Sequence, residues 1–247
     1  MTKKILITGA NGQLGHEMRN ALKGNNRFEC IFTDVAELDI CNAEAVKQII
    51  ADNHIDYIVN CAAYTQVDKA EDNAELCKKI NTDAVENLAR AAADYGARMI
   101  HISTDYVFNG RGYSPYTEDM PPDPQSVYGS TKLEGEKILT DICPESIIIR
   151  TAWLYSPYGN NFVKTMLHLG EEREELSVVA DQIGTPTCAA DLAQAILVIL
   201  QADTFVPGTY HFSDEGVCSW YDFTVTIHRL AGITTCRVTP IRSDEYP

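Results

Sequence analysis

Short apolar runs alternate with longer amphipathic segments along the first 150 residues of the chain. Each run has the length of one buried strand. In the segments between the runs, apolar residues recur three and four positions apart, as on one face of a helix. This alternation predicts an α/β fold built on a doubly wound parallel sheet. The predicted strands are residues 4–8, 29–33, 57–60, 99–103 and 146–150.

The segment 83–95 shows the helical spacing clearly. Val85, Leu88, Ala89 and Ala92 lie at positions i, i+3, i+4 and i+7, which places them on one face that can pack against a sheet. Gly96 follows, and a glycine at that position commonly ends a helix. We therefore predict a core-facing helix here.

After residue 150 the alternation is less regular. A loop rich in tyrosine, proline, glycine and asparagine covers residues 155–161. Beyond it we predict helices at 162–173, 191–201 and 220–230 and strands at 177–180 and 209–212. We divide the chain into a first domain, 1–150, and a smaller region, 151–247. The two are expected to be interleaved, since no clean linker separates them.

Composition narrows the choice of partners. Lys and Arg number 20 against 35 Asp and Glu, a net charge of −15, and a surface of this sign repels nucleic acid and anionic membranes. The eight cysteines include no Cys-x-x-Cys and the six histidines show no metal-ligand spacing, so we expect reduced cysteines and no metal. No run suits a signal peptide or a membrane span, and we expect a cytoplasmic protein.

The first predicted strand leads into TGANGQLG and then into a predicted helix. A dinucleotide site needs glycine at such a turn so that the backbone can approach a pyrophosphate, and the helix N-terminus then faces the anion. We therefore predict a Rossmann-type dinucleotide-binding domain at 1–150 and assign 151–247 to substrate binding. The predicted cofactor contacts in this loop are Gly9, Asn11, Gly12, Gln13, Leu14 and Gly15.

Asp34 follows the second predicted strand, where an acidic side chain accepts hydrogen bonds from the adenosine ribose. Residues 35–37 include no Lys or Arg to receive a 2′-phosphate, so we predict NADH as the cofactor, with NADPH as the alternative. Further cofactor contacts are expected from residues that follow the second and third strands: Asp39, Ile40, Cys61, Ala62, Ala63 and Tyr64.

Tyr128 and Lys132 are four positions apart in SVYGSTKLEGE, and on a helix such positions share a face. A nearby ammonium lowers the pKa of a phenol from its usual value near ~10, so Tyr128 can serve as a general acid that Lys132 tunes. Thr104 comes directly after the strand 99–103, at the sheet edge where ligands bind. A solvated pair on a helix surface is the alternative. Thr104 and the glycine loop favour the catalytic interpretation.

The chain resembles the extended short-chain dehydrogenases/reductases in its glycine loop, in the stretch 60–63, and in Thr104, Tyr128 and Lys132. Longer segments resemble one branch of that family, the dTDP-4-dehydrorhamnose reductases. These segments are NCAAYTQVDKAE, STDYVFNG, RTAWLYSPYGNNFVKTM and VVADQIGTPT. The resemblance covers nearly the whole chain, from the first strand to about residue 240.

This resemblance implies a reaction and a set of roles. A hydride from NADH reaches C4 of dTDP-4-dehydro-L-rhamnose, a precursor of cell-surface polysaccharide, and Tyr128 protonates the forming alkoxide. Thr104 hydrogen-bonds the same oxygen, while Lys132 binds the nicotinamide ribose and lowers the pKa of Tyr128. Asp105 and Trp153 correspond to sugar-nucleotide contacts, with core packing as the alternative for Trp153. Weaker candidates for substrate contacts are Thr65, Val67 and Gln182.

Three other functions stay open at this point. A 4,6-dehydratase is disfavoured, because such enzymes carry Asp-Glu after the threonine and here Asp105 is followed by Tyr106. A nucleotide-sugar epimerase is compatible with the sequence. A regulatory subunit of the methionine adenosyltransferase type is opposed by the intact Thr104, Tyr128 and Lys132. Members of the resembled family extend several tens of residues beyond this chain, so we expect retained cofactor binding and an incomplete substrate region. A homodimer is left open.

Overall fold

The computed structural model describes residues 2–246. In the first part of the chain the elements are β1 (Lys3–Thr8), α1 (Gln13–Leu22), β2 (Phe28–Thr33), α2 (Ala43–Asn53), β3 (Tyr57–Asn60), α3 (Val67–Asp72), α4 (Ala74–Lys78), α5 (Ala84–Tyr95), β4 (Arg98–Thr104), α6 (Val127–Ile142) and β5 (Ile147–Thr151). A π-helical turn, Lys79–Asp83, joins α4 to α5, and a 3₁₀ turn, Asp105–Val107, follows β4.

In the second part the elements are β6 (Leu154–Tyr155), α7 (Phe162–Glu172), β7 (Glu175–Val179), β8 (Ile183–Gly184), β9 (Thr187–Cys188), α8 (Ala189–Gln201), β10 (Gly208–His211), β11 (Cys218–Ser219), α9 (Trp220–Ala231), β12 (Arg237–Ile241) and a 3₁₀ turn, Ser243–Glu245. The predicted strands and helices are therefore confirmed, with shifts of a few residues at their ends. The pattern missed the two-residue strands and β12, which are too short or too exposed to show a buried run.

The main sheet has six strands in the order β10-β5-β4-β3-β1-β2, and every neighbouring pair is parallel. Strand order reverses between β1 and β3, which is the arrangement of a doubly wound fold, so the predicted fold class is confirmed. Successive residues of β1 point to opposite faces. Leu6 packs in a cluster with α2 and α5, whereas Ile5 and Ile7 pack in a cluster with α1 and α8. The sheet is thus buried on both faces, as its apolar strands require.

The C-terminal stretch contributes to two layers. Its β10 pairs with β5 at the edge of the main sheet, and its α8 packs against α1. The remaining elements form a smaller unit in which β12 pairs with β7 and α9 packs against both α7 and the strand pair. This unit has its own apolar cluster, formed by Met166, Leu176, Val178, Ile227 and Cys236. The division of the chain near residue 150 stays a prediction.

Within residues 2–246 there is no helix that combines the length and the apolar character needed to cross a bilayer. The same residues contain no group of three or more His, Cys, Asp or Glu side chains arranged to hold a metal ion.

Candidate active site

The turn after β1 lies against the backbone that follows β3. Gly9 has a φ of 64°, in the left-handed region that favours glycine, and a Cβ there would lie 2.6 Å from the backbone nitrogen of Ala62. Gly15, in the first turn of α1, is equally confined, because a Cβ there would overlap the carbonyl oxygen of Gly9. Both positions therefore need glycine for close backbone approach, as a dinucleotide loop requires.

The N-terminus of α1 can receive an anion. Its N-cap residue is Gly12, which offers no side chain to hydrogen-bond the first backbone N–H groups. These groups lie at the positive end of the helix dipole and can bind a phosphate. The N-cap residue Gly12 lines a cleft of about 550 Å³, formed by the carboxyl ends of β1, β2 and β3 and by residues of α4 and the π-helical turn. This arrangement fits the pyrophosphate and adenosine of a dinucleotide.

Most of the predicted cofactor residues line this cleft: Gly9, Asn11, Gly12, Asp34, Asp39, Ile40, Cys61, Ala62 and Ala63. Sequence reasoning missed the other lining residues, which are Val35, Leu38, Cys41, Leu76, Lys79 and Ile80. Val35, Leu38 and Cys41 flank predicted contacts and could have been found from that proximity. The others carry no motif and reach the cleft only through packing of α4 and the π-helical turn. Lys79 brings a cation that the sequence around Asp34 lacks.

The Asp34 carboxylate is hydrogen-bonded to the glycine loop. Its Oδ2 accepts a hydrogen bond from the backbone N–H of Asn11 at 2.9 Å, and its Oδ1 accepts one from the N–H of Val35 at 2.9 Å. The carboxylate thereby joins the end of β2 to the turn after β1. Each oxygen keeps a further lone pair for another donor, such as a ribose hydroxyl.

Two predicted cofactor residues have their side chains engaged elsewhere. Gln13 donates from Nε2 to the carbonyl of Leu154 at 3.4 Å, and its Oε1 accepts from Nδ2 of Asn161 at 2.9 Å. Leu14 is buried in the core beside the sheet. The Gln13 side chain anchors the loop after β6 and the Leu14 side chain packs inside, and the cofactor contacts of both residues stay predictions. A cofactor contact from either residue would use its backbone at the start of α1.

Tyr128 and Lys132 lie one turn apart on α6, as the sequence predicts. Gly129 contacts the carbonyl oxygen of Tyr106 so closely that a Cβ there would overlap it. The glycine thus lets the first turn of α6 approach the 3₁₀ turn that follows β4. The phenol of Tyr128 lies close enough to the Thr104 hydroxyl for that hydroxyl to influence its pKa.

The phenol of Tyr128 is buried, and burial raises its pKa far above the ordinary value. The hydroxyl of Thr104 lowers the pKa in part, while Asp105 and Tyr106 raise it further. The sequence predicts a pKa lowered by Lys132, and the structure reverses that direction because desolvation outweighs every other effect. A raised pKa keeps the phenol protonated, which a proton donor requires.

Lys132 is almost completely buried, with 1% of its surface exposed. Its Nζ donates to the carbonyl of Ile102 at 2.7 Å and lies 3.2 Å from Nε2 of His101. Burial lowers the pKa of Lys132 to about 8, against the opposing effects of Glu136 and Cys77. The side-chain nitrogen of Lys132 is therefore held from the β4 side of the site.

Thr104 ends β4 and is buried. Its Oγ1 donates to Oδ1 of Asp105 at 3.1 Å and accepts from the backbone N–H of Tyr106 at 3.2 Å. Burial raises the pKa of the Asp105 carboxyl to about 6, although the bond from Thr104 lowers it. A hydroxyl, a phenol and a carboxyl thus lie together at the carboxyl end of β4.

Tyr64 and Val67 pack in the same small apolar cluster as Tyr128. The backbone of Tyr64 is bound to the Asn81 side chain, with its N–H donating to Oδ1 at 2.8 Å and its carbonyl accepting from Nδ2 at 3.1 Å. Tyr64 therefore packs beside Tyr128 and does not line the cleft described above, and its cofactor contact stays a prediction. Thr65, between these two residues, is exposed.

Trp153 follows β5 with a φ of 47°, a strained conformation for a large side chain. Its ring stacks on Trp220, with 3.4 Å between centroids and 9° between planes, and Gly184 leaves room for the ring. Gln182 accepts a hydrogen bond from Nε1 of Trp220 at 3.3 Å. The predicted substrate contacts Trp153 and Gln182 are thus joined through Trp220, which sequence reasoning missed because its stretch matches no motif.

Comparison with known proteins agrees with this geometry. Residues 3–247 match the family model described as the RmlD substrate binding domain. The chain belongs to the dTDP-4-dehydrorhamnose reductase family. The resemblance stated from sequence is therefore confirmed.

Three relatives illustrate the match. The solved structure of a dTDP-4-dehydrorhamnose reductase from Clostridium acetobutylicum is 51% identical, with a TM-score of 0.95 over 99% of this chain and 85% of that one. The corresponding reductase from Bacillus anthracis, in complex with NADP, is 42% identical, with a TM-score of 0.95 over 99% of this chain and 86% of that one. The dTDP-4-dehydrorhamnose reductase of Aggregatibacter actinomycetemcomitans is 44% identical over 228 residues, which are 91% of this chain and 78% of the relative.

Proposed function

We propose that this protein is an NAD(P)H-dependent oxidoreductase that reduces dTDP-4-dehydro-L-rhamnose to dTDP-L-rhamnose. The proposal rests on one observation, which is that Thr104, Tyr128 and Lys132 lie together at the carboxyl end of β4. The dinucleotide cleft opens at the same edge of the sheet. The choice of sugar nucleotide follows from the reductases to which the chain is similar.

Tyr128 has the role of proton donor. When bound, the reduced dinucleotide supplies the hydride that adds to C4 of the sugar. The phenol gives its proton to O4 as the carbonyl becomes an alkoxide, and one hydride plus one proton complete the C4 hydroxyl. Thr104 donates a hydrogen bond to the same oxygen, while Lys132 holds the nicotinamide ribose. Burial of Tyr128 supports this direction of transfer, because the phenol enters the reaction protonated.

We propose NADH as the preferred cofactor, with NADPH also accepted. The Asp34 carboxylate in the cleft favours a ribose that carries two hydroxyls and disfavours a 2′-phosphate. Lys79 lines the same cleft and offers a cation that can offset part of this repulsion. The Bacillus anthracis relative was solved in complex with NADP, which supports acceptance of the phosphorylated cofactor.

We assign Asp105 and Trp153 to the sugar nucleotide, with Thr65, Val67 and Gln182 as weaker contacts. Asp105 supports this through its place beside Thr104, and Trp153 through its strained backbone, since such strain is typical of binding sites. The cytoplasm as the compartment stays a prediction, and a homodimer stays open as the assembly.

The test supplies dTDP-4-dehydro-L-rhamnose and NADH to the purified chain and follows the loss of NADH absorbance. Tyr128→Phe removes the proton and keeps the ring, so kcat is expected to fall by about 10²–10⁴-fold. Tyr113→Phe is the matched control, because the Tyr113 side chain is fully exposed. Near-normal turnover by Tyr128→Phe would refute the assigned role. A wild type carrying the C-terminal extension of its relatives that binds NADH yet leaves the keto sugar unreduced would refute the reaction itself.

The same assay separates the remaining alternatives. An epimerase would interconvert nucleotide sugars with no net consumption of NADH. A regulatory subunit would bind the dinucleotide and show no conversion of any nucleotide sugar. A dehydratase is disfavoured by the structure as by the sequence, because Tyr106 places a ring against Tyr128, at 5.5 Å between centroids, where a second carboxylate would be needed.

A further inference from the structure

A buried chain of hydrogen-bonded side chains crosses the sheet from β1 to Lys132. Thr8 donates from Oγ1 to Oδ1 of Asn60 at 2.7 Å, and Nδ2 of Asn60 lies 3.0 Å from Nδ1 of His101. The other ring nitrogen, Nε2, lies 3.2 Å from Nζ of Lys132. All four residues are at most 1% exposed. The chain therefore joins three neighbouring strands to α6 away from solvent.

The orientation of Asn60 fixes the tautomer of His101. The backbone N–H of Ala62 donates to Oδ1 of Asn60 at 3.2 Å, so this atom is the amide oxygen. The atom that faces His101 is then Nδ2, which can only donate. Nδ1 of His101 must accept, and a neutral imidazole that accepts at Nδ1 carries its hydrogen on Nε2. Burial and Lys132 hold the pKa of His101 well below its usual value, which keeps the ring neutral.

This tautomer directs an N–H group at Nζ of Lys132. An ammonium has only hydrogens to offer and cannot donate to a nitrogen that already carries one, so the charged form of Lys132 meets a donor. A neutral amine has a lone pair and accepts the bond. The carbonyl of Ile102 accepts from Nζ in either form. The contact with His101 is therefore better satisfied when Lys132 has given up its proton.

Two other groups around Lys132 favour its charged form. Glu136 on α6 and Cys77 on α4 favour the charged amine, and Tyr128 lies one turn earlier on the same helix. The charge of Glu136 is offset by Arg150 of β5. His101 is the neighbour from β4 whose hydrogen is aimed at Nζ.

We propose that His101 is a positioning residue that favours the neutral amine of Lys132, and that Asn60 sets this role by fixing the imidazole tautomer. The inference deepens the proposed function and rests on it for its consequence in turnover. Lys132 can thereby exchange its own proton near neutral pH.

The first test is independent of turnover. NMR of protein labelled with ¹⁵N-histidine reports the tautomer of His101, and ¹³C-lysine labelling reports the titration of Lys132, with resonances assigned through His101→Gln and Lys132→Arg. We expect a neutral Nε2–H imidazole and a Lys132 that titrates about one pH unit or more below the exposed lysines. An Nδ1–H tautomer, or a Lys132 that titrates together with the surface lysines, would overturn the proposal.

Two variants test the cause. His101→Gln places a carbonyl oxygen within reach of Nζ, and Asn60→Asp accepts from Nδ1 and so turns Nε2 into an acceptor. Each variant should move the midpoint of the Lys132 titration about one pH unit higher. The basic limb of the pH profile of kcat/KM should move in the same direction by the same amount. His168→Gln, on the exposed face of α7, is the matched control and should change neither.

If one variant fails to fold, the Lys132 titration in the other variant and the His101 tautomer in the wild type still test the proposal. An unchanged Lys132 titration in a folded variant refutes the role of His101. The expected NMR shifts in a protein that never reduces the keto sugar would support the role of His101 and count against the proposed reaction instead.

Discussion

The Arg150 guanidinium pairs with the Glu136 carboxylate in the interior of the protein. Nη2 lies 2.7 Å from Oε2, and the two side chains are 7% and 5% exposed. Nε of Arg150 donates to both carboxylate oxygens at 3.0 and 3.2 Å, and the hydroxyl of Ser103 donates to Oε1. The pair ties β4 and β5 to α6 one turn beyond Lys132. The helix that carries Tyr128 and Lys132 is thus held against the sheet by this ion pair as well as by packing.

Glu136→Ala should destabilise the protein by about 3–5 kcal/mol, because it leaves the Arg150 charge buried and unpaired. Urea unfolding at neutral pH measures the loss. Glu86→Ala is the matched control, since Glu86 pairs with Arg90 on the surface of α5 and its loss should cost about 0.5 kcal/mol or less. Equal effects of the two substitutions would show that the buried pair does not stabilise the fold.

Gly129→Ala should separate α6 from the turn after β4, because the added Cβ overlaps the carbonyl oxygen of Tyr106. We expect a loss of about 1–3 kcal/mol in stability from overpacking. We also expect a fall of roughly 10²-fold in kcat, since Tyr128 is displaced from Thr104. Ser130→Ala, at an exposed position on the same helix, should leave both quantities unchanged. A fully active Gly129→Ala would contradict the importance of this close approach.

Asp34→Ala should weaken NADH more than NADPH. The substitution removes the brace on the Asn11 N–H and an acceptor for the adenosine ribose, which predicts a rise of roughly 10-fold or more in KM for NADH. It also removes the negative charge that opposes a 2′-phosphate, so the ratio of kcat/KM for NADPH to that for NADH should rise. Asp52→Ala, at an exposed position on α2, is the control. Equal losses of kcat/KM with both cofactors would argue that Asp34 only stabilises the glycine loop through its bond with the Asn11 N–H.

Asp105→Asn should stabilise the ligand-free protein above pH 6. Burial raises the pKa of this carboxyl to about 6 from 3.8, so the folded state binds its proton more tightly than the unfolded state does. Wild-type stability therefore falls as the pH rises through the window from about 4 to 6. The gain from Asp105→Asn should be about 1–3 kcal/mol at pH 8 and should vanish near pH 4.

Thermal or urea unfolding of Asp105→Asn across this pH range provides the measurement. Asp203→Asn, at an exposed position after α8, is the control and should show no pH-dependent gain. A constant difference between Asp105→Asn and the wild type at every pH would contradict the raised pKa.

The elements of the fold could be predicted because their signals are local. The buried strands show as apolar runs, and the helix Ala84–Tyr95 shows its core face as a spacing within one segment. The short strands could not be found in this way, since Ile183–Gly184 and Thr187–Cys188 are paired by partners distant in sequence. Trp220 was missed for the same reason, because only its stacking on Trp153 gives it a place near the predicted substrate residues.

The sequence by itself determined the doubly wound sheet, the glycine loop with Asp34, and the placing of Tyr128 and Lys132 on one helical face. These depend on the period of apolar residues and on glycines that permit close turns, which are properties of neighbouring positions. Only the tertiary structure decided the proton states: burial raises the pKa of Tyr128, and His101 faces Lys132. Desolvation and buried hydrogen bonds are created when distant segments pack together, so a raised pKa for Tyr128 could not be read from the four-residue spacing that first indicated its role.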